Sequence, residues 1–321
     1  MLARTKTLVA LALTGVMVCS VKLMMTSVYG QGGRTLAPEQ AVDLSAEVVA
    51  APATGWKTLT VSSPRSVKSD LTIPANVCLK FEDGGMCDVQ EGVTLTINGP
   101  LEAPQAQIFR GNGKVIFGPG RVERVYPQWW GAQTDDDVDD TAAIQAAIDS
   151  RSASGTVFLP SGKYDLSSRI TLCSGLILEG SPAGARLNAL KPLPAMVQRP
   201  DLTPPPKGIH FNTDTRIDGV RITNLSLIGN GSAIGLDLTN VNYTWIENVQ
   251  VMGCKTGIMF AQLGMYETLI NPVVNYCDTG MEFNVGSMDS NIFGGRLSAC
   301  KTAILINNTG HLNIYGITFD A

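Results

Sequence analysis

Four residues, Tyr243, Tyr266, Asp289 and His311, recur at the spacing of one repeat and form a column with the means to act on sugars. Each lies three residues before the start of an apolar segment, at Ile246, Leu269, Ile292 and Ile314, and Glu267 lies one residue off the same column. An aromatic ring offers an apolar face and a polar tip to a sugar ring. Two carboxyl groups roughly 5–9.5 Å apart are what glycoside hydrolysis requires. The spacing nominates Asp289 and Glu267 as an acid/base pair, Tyr243 and Tyr266 as stacking platforms, and His311 as a further substrate contact. Arg296 and Lys301 are the cations near these repeats that an acidic sugar, or a β-elimination of one, would need. The competing reading of the column is a row of solvated turn residues.

A turn column of this kind needs elements that repeat in register. Ile222-Thr-Asn224, Ile246-Glu-Asn248, Leu269-Ile-Asn271, Ile292-Phe-Gly294 and Ile314-Tyr-Gly316 open successive units at steps of 24, 23, 23 and 22 residues. Cys254, Cys277 and Cys300 follow at steps of 23, and Phe260, Phe283 and Ile306 keep the same phase. A period near 23 with several short strands suits one coil of a parallel β-helix, in which each coil stacks on the last. Like residues then form ladders at the spacing of hydrogen-bonded strands, ~4.7–4.9 Å. The spacing predicts an asparagine ladder at a turn and an inward cysteine column of small apolar fillers, with free thiols, since three cannot pair fully. One column without convergent His ligands disfavours zinc.

Upstream, Asp139 and Asp140 precede Thr141-Ala-Ala-Ile144-Gln-Ala-Ala-Ile148, a short helix by propensity, and carboxylates there suit its free N–H groups and macrodipole. Gly155 to Tyr164 reads as strand, turn and strand. The stretch from Trp129 resembles the opening of the pectate-lyase-superfamily right-handed parallel β-helix proteins, the set that includes rhamnogalacturonase-like, polygalacturonase-like and tailspike-like members. Asp135, Asp139, Asp140, Thr141, Ala143, Ile144, Ala147, Ile148, Val157, Leu159, Pro160, Gly162 and Tyr164 fit its pattern, while Thr134 and Asp136 stand where it has glycines. The resemblance implies an all-β right-handed parallel β-helix solenoid with one short N-terminal capping helix and a β-rich N-terminal segment. It also implies cleavage of a polysaccharide by hydrolysis or β-elimination, without naming which. Asn212-Thr213-Asp214 matches the N-T-D element of polygalacturonase-like hydrolases; where that family has a paired-Asp element, Gly235-Leu236-Asp237-Leu238 offers one Asp, and the later G-H-G and R-I-K elements do not appear.

Composition bounds the rest. Charged residues make up 16% of the chain and the net charge is −4, which argues against nucleic acid as a partner. Two histidines leave little material for triad or His-rich metal chemistry. Residues 1–30 read as a secretory signal, with Arg4 and Lys6 before an apolar run from Leu8 to Val21, and an uncleaved anchor as the rival reading. Residues 31–56 read as an Ala/Pro/Gly-rich linker, 57–125 as a β-rich segment that is either a cap or the first coils, and 126–321 as the β-helix domain, with Pro192 to Pro206 an exposed loop. The Asp135–Asp140 carboxylates leave Ca²⁺ open as a cofactor through oxygen ligands, though without EF-hand spacing. The expected protein is secreted or cell-surface, has no spanning segment after signal cleavage, and cleaves an acidic polysaccharide. The alternative is a non-catalytic glycan-binding, adhesion or structural β-helix. The repeat runs to Ala321 without a polar cap, which raises the expectations of a fragment or a homo-oligomer.

Overall fold

The computed structural model describes residues 42–49, 55–119, 122–151, 155–198, 216–262 and 264–320. The expected signal segment, His210 and the Asn212–Asp214 element lie outside them.

Alternating residues make the first coils. Lys57–Val61, Pro64–Val67 and Leu71–Ile73 are followed by Val77–Phe81, Met86–Val89 and Thr94–Ile97, then by Leu101–Glu102, Phe109–Arg110 and Lys114–Phe117. Each strand pairs in parallel with its counterpart one coil on, giving three small sheets. The segment is therefore itself solenoidal. Within the stretch read as linker, Val42–Asp43 pairs with Pro64–Val67, and helix α1 (Leu44–Val49) buries Leu44 and Val48 in the core. The cue is Leu44 and Val48 at i, i+4, one face of a single turn and a half.

A 3₁₀ turn (Pro127–Trp130) and helix α2 (Thr141–Asp149) come next, and α2 buries Ile144, Ala147 and Ile148. The helix is capped by Asp139, whose Oδ1 accepts from Thr141 N at 3.0 Å. Asp140, expected to share that role, makes no side-chain bond to the helix. Its carboxylate accepts from Gln133 N at 2.9 Å and Asp165 N at 3.0 Å instead, tying the acidic loop to the first strand of the next sheet. The glycines missing beside Asp135 are compensated locally. Asp135 and Asp137 themselves adopt φ of 62° and 59°, a region that Asp tolerates better than most residues.

The main solenoid has three long parallel sheets, with a short fourth in which Ile217–Asp218 pairs with Val241–Asn242. Sheet I runs through Arg124–Val125, Gly155–Leu159, Leu176–Gly180, Arg221–Thr223, Trp245–Glu247, Thr268–Ile270, Ser290–Phe293 and Leu312–Tyr315. Sheet II holds Gly162–Leu166, Ala185–Ala189, Leu225–Ile228, Gln250–Met252, Val273–Asn275, Arg296–Ser298 and Thr318–Asp320. Sheet III holds Ile170–Thr171, Ala195–Gln198, Ile234–Asp237, Thr256–Phe260, Thr279–Phe283 and Thr302–Ile306. Parallel crossovers of this kind coil right-handed.

A left-handed residue follows the sheet I strand in each of five coils, Asn224, Asn248, Asn271, Gly294 and Gly316, with φ between 50° and 68°; Gly295 at 95° adds a second in its turn. Asn271 Nδ2 donates to Asn248 Oδ1 at 3.4 Å, and Asn248 Nδ2 to Asn224 Oδ1 at 3.3 Å, which is the expected ladder. Inside, Phe260 and Phe283 stack at 4.7 Å between centroids. Cys254 and Cys277 are buried, Cys300 is partly so, and all six described cysteines are free. The hydrogen bond to Cys277, with burial, holds the Cys254 thiol up. On the last described coil the same inward columns are open, with Ile306, Ile314 and Phe319 exposed.

Candidate functional site

The turn from sheet III to sheet I carries the column singled out above. Tyr243, Tyr266 and Asp289 sit in the left-handed region at φ 52°, 61° and 57°. Tyr243 N donates to Met265 O at 2.9 Å and Tyr266 N to Met288 O at 3.2 Å, so each turn is bonded to the next coil. The two rings lie parallel, 9° between planes and 5.0 Å between centroids, and they are 58% and 48% exposed. A left-handed backbone is unfavourable for a bulky side chain, so its repetition here marks a place where exposure of the rings outweighs local strain. The column continues with Asp289, whose Oδ1 is 3.0 Å from Nδ1 of the exposed His311.

Three of the expected site residues are elsewhere. Glu267 follows Tyr266 directly, yet its side chain is 0% exposed. It shares an inward column with Thr244 and Ser290, both buried. Ser290 Oγ donates to Glu267 Oε2 at 2.6 Å, while Oε1 has no partner among the described residues. Burial pushes this carboxyl up to about 7, assisted by the Asp289 charge and opposed by the Ser290 bond. Glu267 thus lies on the opposite side of the backbone from Asp289 and cannot form an acid/base pair with it on the outer surface. A single residue step across the turn exchanges outside for inside, which the column count alone did not reveal. Arg296 lies past the Gly294 turn on sheet II, ion-paired with Asp320, and Lys301 is 2.6 Å from Asp278. Neither cation joins the tyrosine column.

The outward faces of the flanking sheets hold groups that the sequence reading missed. On sheet III, register places Gln198, Asp237, Met259, Glu282 and Leu305 in one outward row. Asp237 and Glu282 are two strands apart, roughly 9–10 Å at the usual strand spacing. Asp237 Oδ1 accepts from Thr239 N at 3.0 Å. Glu282 accepts from Asn284 Nδ2 at 3.0 Å and Thr256 Oγ1 at 3.3 Å, all neutral donors. On sheet I the acids are occupied: Arg124 holds Glu179 at 3.0 Å, and Trp245 Nε1 donates to Glu247 at 3.0 Å. Arg221 lies over the Trp245 ring at 5.2 Å, and Phe293 stacks on Tyr315 at the same distance. The signal was present in the chain, since Asp237, Met259 and Glu282 are spaced by 22 and 23 residues.

Residues 129–192 match the family model described as rhamnogalacturonase A/epimerase, pectate lyase-like. The match is confined to that stretch and agrees with the three-sheet parallel coil. The chain fits the pectate-lyase-like right-handed β-helix superfamily. A solved chain described as "Geobacillus virus E2 - ORF18" is similar at 16% identity, with a TM-score of 0.44, over 61% of this chain. The present chain spans about half, 47%, of that one. No curated protein matches. The family match points to a polysaccharide-related function.

The acidic loop serves structure. Asp137 is 2.5 Å from Lys163 Nζ, which also reaches Asp165 at 3.0 Å. Burial raises Asp139, but the bonds from Ser167 and Thr141 outweigh it and hold the carboxylate low. Burial dominates at Asp140 and pushes it to about 6, against the two backbone donors. Among the described residues no group of three His, Cys, Asp or Glu side chains is placed to hold a metal ion. No helix among them is long and apolar enough to cross a membrane.

Proposed function

We propose that this protein is exported and acts on a polysaccharide, holding the chain on Tyr243 and Tyr266 and hydrolysing it with Asp237 and Glu282. The observation that carries the reading is the parallel, half-exposed tyrosine pair on strained turns of two successive coils. Its pitch is that of the solenoid, so a polymer lying along the axis meets a ring on each of these two coils. Asp237 and Glu282 face out from the adjoining sheet at a separation compatible with inverting hydrolysis, in which one acid protonates the leaving oxygen and the other activates water. Elimination is disfavoured because Arg296 and Lys301 are already neutralised by Asp320 and Asp278. Arg221, exposed above Trp245, supplies positive charge that suits an acidic polysaccharide.

A second reading, a glycan-binding β-helix without cleavage, is favoured by one feature. The platform and the Asp237–Glu282 row lie on different strips of the surface, separated by the turn from Asn284 to Met288. The deciding experiment follows the full chain on neutral and acidic polysaccharides by binding, by reducing ends, and by absorbance near ~235 nm, where an unsaturated uronate absorbs. Reducing ends without absorbance, lost in Asp237→Asn, support hydrolysis. Absorbance would make the protein a lyase and overturn the Asp237–Glu282 assignment. Binding without either product selects the second reading.

A further inference from the structure

The interior of the tyrosine turn holds a carboxyl group that the chemistry above does not use. Glu267 is fully buried, with Ser290 Oγ as its side-chain donor, its own backbone N–H beside it, and one oxygen without a side-chain partner among the described residues. That free oxygen, Oε1, lies 2.8 Å from the position a Cβ on Gly264 would take, so the bare glycine leaves it room. Asn242, Tyr243 and Thr244 on the preceding coil, Gly264 and Tyr266 on its own, and Ser290 and Asp289 on the following coil are the neighbours in this turn. Two of these are phenols and one is a carboxylate of like charge, with His311 paired to the outer side of that carboxylate. No cation stands among them. A desolvated carboxylate so placed, with a like charge nearby and only neutral donors, favours its protonated form.

We infer that Glu267 is a proton-operated latch beneath the tyrosine platform: protonated, it packs under the turn and keeps Tyr266 against Tyr243; ionised, it draws water into the turn and loosens both rings. The inference rests on the reading that these rings bind glycan. Leverage comes from position. Glu267 is bonded through the chain to Tyr266, whose left-handed backbone is disfavoured for a bulky residue and holds only while its surroundings fix it. Burial pushes the Glu267 carboxyl up to about 7, so the latch works near neutral pH.

Hydrogen exchange at the Tyr266 and Thr268 amides reads the latch without any glycan. These amides donate to Met288 O at 3.2 Å and Thr244 O at 2.8 Å. In the full chain, corrected for intrinsic exchange, the open fraction rises about tenfold from pH 6 to pH 8, as linkage to one such group requires. Glu267→Gln abolishes the rise. Ser290→Ala moves its midpoint to higher pH, because a donor favouring the charged form is lost. His311→Gln, which removes the imidazole paired with Asp289, leaves the rise in place. An equal rise in Glu267→Gln, or its disappearance in His311→Gln, overturns the latch. Should Glu267→Gln not fold, the direction of the Ser290→Ala shift decides. Glycan binding measured in parallel separates the two claims. Exchange that responds to pH without binding at any pH overturns the glycan reading, and binding with pH-independent exchange overturns the latch.

Discussion

The Tyr243 and Tyr266 rings lie 5.0 Å apart and nearly parallel, the distance between coils, on backbone that neither side chain prefers. Had the turn served only to reverse the chain, Asn or Gly would have met the need at lower cost, as at the Asn224–Gly316 column. Removing either ring should therefore cost binding more than stability. Tyr243→Ala and Tyr266→Ala are each expected to weaken glycan affinity by about tenfold, the scale of an aromatic contact at a binding hot spot. Titration calorimetry checks this, with an unchanged circular dichroism spectrum showing that the solenoid is intact.

The column Gly253, Tyr276 and Ala299 provides the contrast. All three have positive φ, and Tyr276 is 71% exposed. Only the first is glycine. Tyr276→Gly and Ala299→Gly should each stabilise the protein by about 0.5–1 kcal/mol, since relief of the left-handed penalty exceeds the entropy glycine adds to the unfolded chain. Urea unfolding measures it. A loss of stability would show that these side chains hold the turn.

If Asp237 and Glu282 are the acid pair, each should be needed for cleavage and neither for gripping the chain. Asp237→Asn and Glu282→Gln are expected to reduce hydrolysis by at least about a hundredfold, the scale of general acid–base catalysis, with affinity within a few-fold. The rate is read by reducing ends and the affinity on the same polysaccharide. Cleavage that survives both substitutions would remove sheet III from the mechanism.

Much of this architecture was legible in the chain because a solenoid writes its period into the sequence. The asparagine ladder, the cysteine column and the Phe260–Phe283 stack all followed from steps of 22 to 24 residues. The side on which a residue lands near a turn did not. Strand alternation runs through this turn, so Glu267 shares the inward parity of Leu269, while Asp289 sits in the neighbouring outward column with Tyr266; proximity to a column says nothing of parity. Asp237 was noted only as the lone Asp of a polygalacturonase-like element, and its row with Glu282 was passed over for a related reason. Their row contains Met259 and Leu305, and only the observed pairing shows that it faces out. Helix α1 escaped notice because one and a half turns carry too few residues for a period to register.

The Asp139 carboxylate is the tie between α2 and the first strands of the main solenoid. It accepts from Thr141 N and Ser167 N, both at 3.0 Å, and from the hydroxyls of the same two residues at 2.5 Å. Asp139→Ala should cost about 1–2 kcal/mol, the range for a lost helix cap. These bonds hold the carboxylate below its ordinary range, so its contribution is complete above that range and is lost as pH falls through the lowered value. The wild type should accordingly lose more stability than the variant between pH 5 and pH 2, as followed by thermal unfolding.

Glu267 and Asp140 have the opposite sign. Both are buried carboxyls whose folded values, about 7 and about 6, lie above the ordinary 4.5 and 3.8. Between the ordinary and raised values the folded chain holds a proton that the unfolded chain has released, so stability declines as pH rises through that window and levels off above it. For Glu267 the decline between pH 5 and pH 8 is on the order of 2 kcal/mol. Urea unfolding at the two pH values should show it in the wild type. Glu267→Gln should remove the Glu267 share while keeping the Asp140 share, and Asp140→Asn should do the reverse. A stability that rises from pH 5 to pH 8 in the wild type but not in Glu267→Gln would mean that the buried carboxylate is stabilised as an ion, which the turn's complement of neutral donors and one like charge does not provide.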